Sequence, residues 1–370
     1  MIKPTARELS ATASAAAAAL REWLLAGPAQ IRTGSEAGAV AGTVDLEGRA
    51  EYAYGEITGY YLQWLSSAHL RRAVEESSLC AHASAAIAWC ERRYIDPAQA
   101  PTRIPLLPNW SAATADWRNQ ARFCFDPAML VGGIVAARRR NLVPTPRGLL
   151  DGLLKELSHF ARTEGLAPVR VLESKNQLPD RWSTRPGAFL VKAAARILSA
   201  QALVEVPELL ELACQEHLER FAQQAPAADL EPLHPTLYFL EGELALGSER
   251  NERSALLLKA LMRQGDSDGN LWESSSTRDI RRADIVAQAL RIGVLLRACG
   301  ERKAPTESVL DRLAHNLVIR IRSDGSIAFR ENADPPQLNV WCAMFAEQAL
   351  SWYAQWRGAK TLNANAWDIV

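Results

Sequence analysis

Apolar residues recur at three- and four-residue spacing through nearly the whole chain, so it can fold only as a predominantly helical protein. The pattern predicts twelve helices, at about 5–26, 56–74, 76–94, 125–140, 146–163, 186–200, 206–223, 234–247, 250–264, 281–299, 306–321 and 338–356. Prolines at Pro127, Pro235 and Pro336 fall at or just before helix entries, and Gly247 and Gly300 just after helix ends. The helices alternate in character. Every second one, such as Gly187 to Ser199, Asp284 to Leu296 and Asn339 to Trp352, is apolar nearly all round. Those between, such as Glu205 to Gln223 and Glu307 to Arg322, carry a charged face. An all-apolar helix is covered on every side, and an amphipathic one has a wet face. The alternation therefore predicts an inner ring wrapped by an outer ring.

A weak repeat reinforces this reading. Asp268-Gly269-Asn270-Leu271-Trp272-Glu273 precedes one inner helix and Asp324-Gly325-Ser326-Ile327-Ala328-Phe329 the next, with Asp180-Arg181-Trp182-Ser183-Thr184 in the corresponding place earlier. Each reads as a turn followed by a short extended piece. Six helical hairpins with short returns and long entries close into an all-α (α/α)6 toroid, read here as one domain spanning 1–370. A straight solenoid would require capping units, which the sequence lacks. The Pro-rich segment from Ile95 to Gln120, with Trp110 and Trp117, is long enough to be a functional loop or lid.

Composition excludes several function classes. Lys plus Arg and Asp plus Glu both number 42, so no basic face for non-specific nucleic-acid binding is expected. The run Arg138-Arg139-Arg140 reads as a helix C-terminus, where cations suit the dipole. No stretch is long and apolar enough to cross a bilayer, and the alanine-rich start, flanked by Arg7, Glu8, Arg21 and Glu22, reads as an amphipathic helix. The six cysteines form no ligand pattern and mostly sit in apolar runs, as reduced thiols do, so a cytoplasmic protein without a structural metal is expected. No P-loop, dinucleotide fingerprint, nucleophile elbow or HExxH motif occurs, and no cofactor is expected. The acidic string Asp266-Ser267-Asp268-Gly269-Asn270 lacks calcium-loop spacing and reads as a turn.

In such a ring the inner helices run the same way and their N-termini surround one mouth, so the chemistry is sought at their starts. Tyr54-Gly55-Glu56-Ile57-Thr58-Gly59-Tyr60-Tyr61 places tyrosines beside a carboxylate, with two glycines keeping the surroundings open. Aromatic faces can cover sugar faces while the carboxylate moves a proton. Glu56 could equally be only a favourable first-turn anion. Asp126 before Pro127 suits an N-cap. His234 and Tyr238 share a helix face, and Glu241 lies deeper in the same apolar helix. A satisfied structural histidine is the competing interpretation. Asp284, Gln288 and Arg291 form one stripe, which either points into the cavity or ties the inner ring together. Asn339 and Trp341 begin the last inner helix and Gln348 lies within it.

The strings Tyr54 to Tyr60, His234-Pro235-Thr236-Leu237-Tyr238-Phe239-Leu240-Glu241-Gly242 and Asn339-Val340-Trp341-Cys342-Ala343-Met344-Phe345 resemble those of six-hairpin-glycosidase-like proteins. Many of those relatives are associated with polysaccharide metabolism, and the superfamily includes glycoside hydrolases, polysaccharide lyases and sugar epimerases. The resemblance implies a toroid acting on a sugar or oligosaccharide. Glu56, Asp126 and Asp284 are then candidate acid and base groups, and Tyr60, Tyr61 and Trp341 candidate sugar platforms. Arg291 or Arg281 could hold a substrate carboxylate. Should His234 and Tyr238 face the substrate, proton abstraction as in a lyase or epimerase becomes the better expectation. Two other readings stay open at this stage. One is a natural-product cyclase on the same fold, although no DDxxD or DxDD motif is present. The other is a non-catalytic binding or scaffold protein.

Overall fold

The computed structural model describes residues 5–67, 70–94, 102–107, 117–173, 177–223, 233–274, 280–331 and 333–370. Among them lie twelve α-helices: α1 (Ala6–Leu25), α2 (Gly55–Leu65), α3 (Glu76–Arg93), α4 (Phe125–Arg139), α5 (Arg147–Ser158), α6 (Leu190–Leu198), α7 (Glu208–Gln223), α8 (Leu233–Leu246), α9 (Asn251–Met262), α10 (Ala283–Ala298), α11 (Glu307–Val318) and α12 (Val340–Ala359). All twelve expected helices are present. The main differences are at ends. α2 stops at Leu65 because Ser66 and Ser67 turn their hydroxyls back onto the carbonyls of Leu62 and Gln63. α5 stops at Ser158, where Ala161–Arg162 pairs with Gly165–Leu166 in a tight hairpin. Asp126 does not cap α4, whose N-cap is Cys124.

The even-numbered helices close a ring, α2 on α4 on α6 on α8 on α10 on α12 and back to α2, with the odd-numbered helices outside. This is the (α/α)6 toroid. Burial follows the expected alternation. In α10 every residue from Ala283 to Leu296 is buried, whereas outer α7 buries only Leu210, Ala213, Cys214 and His217, a single stripe. None of the six cysteines is paired, and four of them are buried. No helix among the described residues is long and apolar enough to cross a membrane.

Helices meet closely where α2 crosses α4. A Cβ on Gly133 would sit 2.2 Å from the Gly59 carbonyl oxygen, and one on Gly59 would sit 2.5 Å from the Met129 carbonyl. Gly59 therefore serves packing and does not open the mouth, contrary to the expectation from sequence. In an uncrowded helix Gly→Ala gains about 1 kcal/mol. Here the sign should reverse. Gly133→Ala is expected to cost about 1–3 kcal/mol through overpacking, read as a lower urea midpoint with unchanged slope.

Short strand pairs form the rim at the inner-helix entries. Thr43–Val44 pairs with Leu338–Asn339, joining the first and last entries, and Tyr52–Tyr54 pairs with Arg103–Pro105. The repeated turns are present as expected, with Gly269 at φ 82° and Gly325 at φ 81°, where glycine carries no Cβ penalty. At the other end the hole is plugged by residues 366–370. Ile369 and Val370 are fully buried. Gln63 of α2 donates to the Trp367 carbonyl at 2.7 Å, Arg196 of α6 to the Ile369 carbonyl at 2.5 Å, and Gln348 of α12 to the Asp368 carbonyl at 2.7 Å. The toroid is thus a cup.

Candidate active site

All six inner-helix starts meet at one cavity of about 360 Å³. Its wall takes Tyr54, Glu56 and Ile57 from the entry of α2, Phe125 and Asp126 from α4 and Phe189 from the entry of α6. His234 and Tyr238 of α8, Arg282 before α10, and Asn339 and Trp341 at α12 complete it. The convergence follows from the parallel run of alternate helices, which brings residues nearly 300 positions apart in sequence to one mouth.

Glu56 and Asp126 share one side of the cavity. The Tyr54 hydroxyl donates to Asp126 Oδ1 at 3.4 Å. Burial pushes Asp126 well above the usual carboxylate range, and the neighbouring Glu56 charge pushes the same way. Burial also raises Glu56, opposed by the Tyr54 hydroxyl and by the Arg118 and Arg103 guanidiniums. Two carboxyl groups in one desolvated place resist joint ionisation, so both are displaced toward the protonated form. Asp126 Oδ2 and Asn339 Oδ1 are buried and have no hydrogen-bond partner among the described residues. Both belong to residues of the cavity wall, where such orphans point to a ligand.

On the α8 side the His234 ring is 4.3 Å from Tyr238 and edge-on to Trp182 at 5.8 Å. Burial and the Arg282 charge bring its pKa down to about 4, so it is a neutral imidazole at physiological pH. Cation and aromatic groups alternate around the rim. Arg103 lies over Tyr52 at 4.7 Å, and Arg282 over Phe329 at 4.7 Å.

Of the residues singled out from sequence, Tyr54, Glu56, Asp126, His234, Tyr238, Asn339 and Trp341 line the cavity, and Tyr60, Tyr61, Glu241, Arg281, Asp284, Gln288, Arg291 and Gln348 do not. Tyr60 lies beneath the floor, edge-on to Phe345 at 5.4 Å. Tyr61 points outward, its hydroxyl 3.1 Å from His82 Nδ1, because consecutive helix residues face different sides. Asp284 is fully buried behind the wall. Its carboxylate accepts from Arg282 at 2.7 Å and from the Trp341 indole at 3.3 Å, and Arg282 holds its pKa below the usual range despite burial. Glu241, Gln288 and Arg291 form a buried cluster with Lys192 below His234. Arg291 also donates to the Val370 carbonyl, so it is not available to a substrate carboxylate. Arg281 sits over Trp272 at 4.8 Å and pairs with Glu331, off the cavity wall.

The sequence reading missed Arg103, Arg118, Arg181, Trp182, Glu273 and Arg330 on the wall. The repeated entry segments were the available signal, since they deliver Trp182, on a 3-10 turn, and Glu273 and Arg330 to the mouth. Arg103 and Arg118 lie within the long segment from Ile95 to Gln120; Trp110 of that segment lies outside the described residues, while Trp117 stacks edge-on to Phe123 at 5.8 Å.

No protein-family model matches the chain. No curated protein matches it either. Solved structures do. An unsaturated glucuronyl hydrolase specific for heparin superposes with TM-score 0.61 at 12% identity, over 94% of this chain and 97% of that one. A cellobiose 2-epimerase from Spirochaeta thermophila gives 0.59 at 15% identity, over 94% and 97%. A type II terpene cyclase from Scytonema gives 0.55 at 11% identity, over 95% and 98%. At these identities the likeness shows the fold alone, an all-α (α/α)6 toroid.

Proposed function

We propose that this six-hairpin toroid is a carbohydrate-active enzyme that binds a sugar or oligosaccharide in the mouth cavity and works by acid–base catalysis. The observation that carries the reading is the opposition, in one cavity, of the coupled Glu56–Asp126 pair and the neutral His234 under aromatic walls. A protonated carboxyl can donate to a leaving or ring oxygen, and its ionised partner or His234 can accept a proton. Tyr54, Tyr238 and Trp341 offer faces for sugar rings, and Asn339 a hydrogen bond to a hydroxyl. Asp284 acts through Arg282 and Trp341 as a positioning residue. Relatives of this fold include an epimerase and a glucuronyl hydrolase, and the same groups suit hydrolysis, elimination or epimerisation.

A terpene-type substrate fits less well. The wall carries Arg103, Arg118, Arg181, Arg282 and Arg330 with Glu51, Glu56, Asp126 and Glu273, a lining made for a polyhydroxylated guest and not for a hydrocarbon.

The test is a panel of neutral and uronic-acid di- to tetrasaccharides, with products read by NMR. Turnover of at least one member is expected, and Glu56→Gln should lower it at least about 100-fold with the fold retained. Absence of both turnover and saturation-transfer binding across the panel would sink the reading.

A further inference from the structure

We propose that Gln288, held by Glu241, sets the proton on His234: Nδ1 carries it, and Nε2 is left as the ring's acceptor. The inference deepens the assignment of His234 as a proton-transfer group and rests on that reading only for its catalytic consequence.

The geometry runs from the floor upward. Glu241 Oε2 accepts from Lys192 Nζ at 2.7 Å, and Glu241 Oε1 accepts from Arg291 Nε at 3.1 Å. Both cations also donate to the Val370 carbonyl, at 3.0 and 2.7 Å, which pins them in place from the plugged end of the cup. With two cations on it, Glu241 keeps its pKa below the usual range although it is buried. An ionised carboxylate only accepts hydrogen bonds. Gln288, fully buried, must therefore present its amide NH2 to Glu241 Oε1, 3.1 Å away. That fixes the other end of the same amide. Gln288 Oε1 lies 2.7 Å from His234 Nδ1, and an amide oxygen can only accept, so Nδ1 is the protonated nitrogen. The remaining charged neighbours agree. Asp284 Oδ2 is 3.7 Å from Nδ1, too far for a hydrogen bond but favouring a proton there, and its oxygens are already engaged by Arg282 and Trp341. Arg282 opposes a second proton on the ring. Gln288, Glu241, Lys192 and Arg291 are positioning residues: none lines the cavity.

The test needs no substrate. The full chain is labelled with [15N]histidine, and His234 is assigned by the signal missing in His234→Asn. At pH 7 its ring nitrogens should show the Nδ1–H form with at least about a tenfold preference, the worth of one good hydrogen bond. An Nε2–H form, or an even mixture, overturns the proposal. In Gln288→Leu the nearest remaining acceptor is beyond bonding distance, and the preference should fall to within about threefold. In Glu241→Gln the amide of Gln288 is free to turn over, with the same expected loss. A folded Gln288→Leu protein that keeps the full preference removes Gln288 from the role. If Glu241→Gln does not fold, the wild-type and Gln288→Leu spectra still decide. Should the sugar panel yield turnover, both variants are expected to lower kcat with KM within about twofold. A pinned Nδ1–H form in a protein without sugar activity would keep this inference and reject the functional one.

Discussion

Glu241→Ala is expected to lower stability by at least about 3–5 kcal/mol, the cost of stripping the partner from a buried ion pair. Among the described residues, Glu241 is the side-chain carboxylate that pairs with Lys192 and Arg291, which are 2% and 0% exposed. Removing it leaves the Arg291 guanidinium in the centre of the ring with the Val370 main-chain oxygen and neighbouring aromatic faces, while Lys192, whose pKa burial already brings down to about 7 beside Glu241, is driven toward the neutral amine. Lys192 Nζ is 4.8 Å from the centres of both Tyr60 and Tyr238, and the Arg291 guanidinium is 4.0 Å from that of Phe345. Those faces soften the loss without replacing an anion. Urea denaturation against Glu249→Ala, an exposed control expected within about 0.5 kcal/mol of wild type, checks this. A Glu241→Ala protein of near-native stability would mean that the cluster is not the keystone of the inner ring. The pH dependence has a definite sign. Because the folded pKa of Glu241 is depressed, its contribution is present above the ordinary glutamate range and is lost as pH falls through the folded value. Acid should therefore open the inner ring of the wild type, and Glu241→Ala should show a weaker dependence on acid.

The fold was legible because it is written in periodicity. An inner helix such as α10 must be apolar on every side, and an outer helix such as α11 shows Leu310, Leu313, Ala314 and Leu317 on one stripe. Those two patterns differ in sequence and alternate six times. The mouth was legible at the inner-helix starts for the same reason, and Glu56, Asp126, His234 and Trp341 are found there. Depth along a helix was not legible. Periodicity says which face Gln288 and Arg291 share with Asp284, but not where the open cavity ends and the packed interior begins. That limit is set by residues 366–370 and by Lys192, which fill the hole from below. Direction around a helix was misjudged once, at Tyr61, where two adjacent tyrosines were read as one platform although they diverge by roughly 100°. The rim arginines escaped because they come from entry segments, whose extended geometry gives no periodic signature. Arg282 and Arg330 become neighbours only through the bridge between their backbones.

Asp126→Asn should separate catalysis from stability most clearly, lowering turnover at least about 100-fold while raising stability at neutral pH. Burial is the dominant cause of the raised Asp126 pKa, so the folded protein prefers the neutral acid. A group whose folded pKa lies above its unfolded value adds stability in full only below the unfolded value. That contribution is lost as pH rises through the folded pKa. Each unit of elevation corresponds to about 1.4 kcal/mol. Asparagine mimics the neutral acid at every pH and carries no such loss. The melting temperature of Asp126→Asn minus that of wild type should therefore be near zero at the acid end and grow steadily toward pH 8, reaching at least about 2 °C. The amide keeps an oxygen for the Tyr54 hydroxyl, so the wall geometry is retained. Scanning calorimetry between pH 4.5 and 8 with the sugar assay measures both halves. Lower stability at every pH would mean that the carboxylate is ionised and satisfied where it sits, and that no proton is stored there for chemistry. Higher stability with undiminished turnover would leave Asp126 as a strained bystander and move the acid to Glu56 alone. A rise in stability coupled to a loss of turnover is the signature of a carboxyl group held in an unfavourable place because the reaction needs its proton.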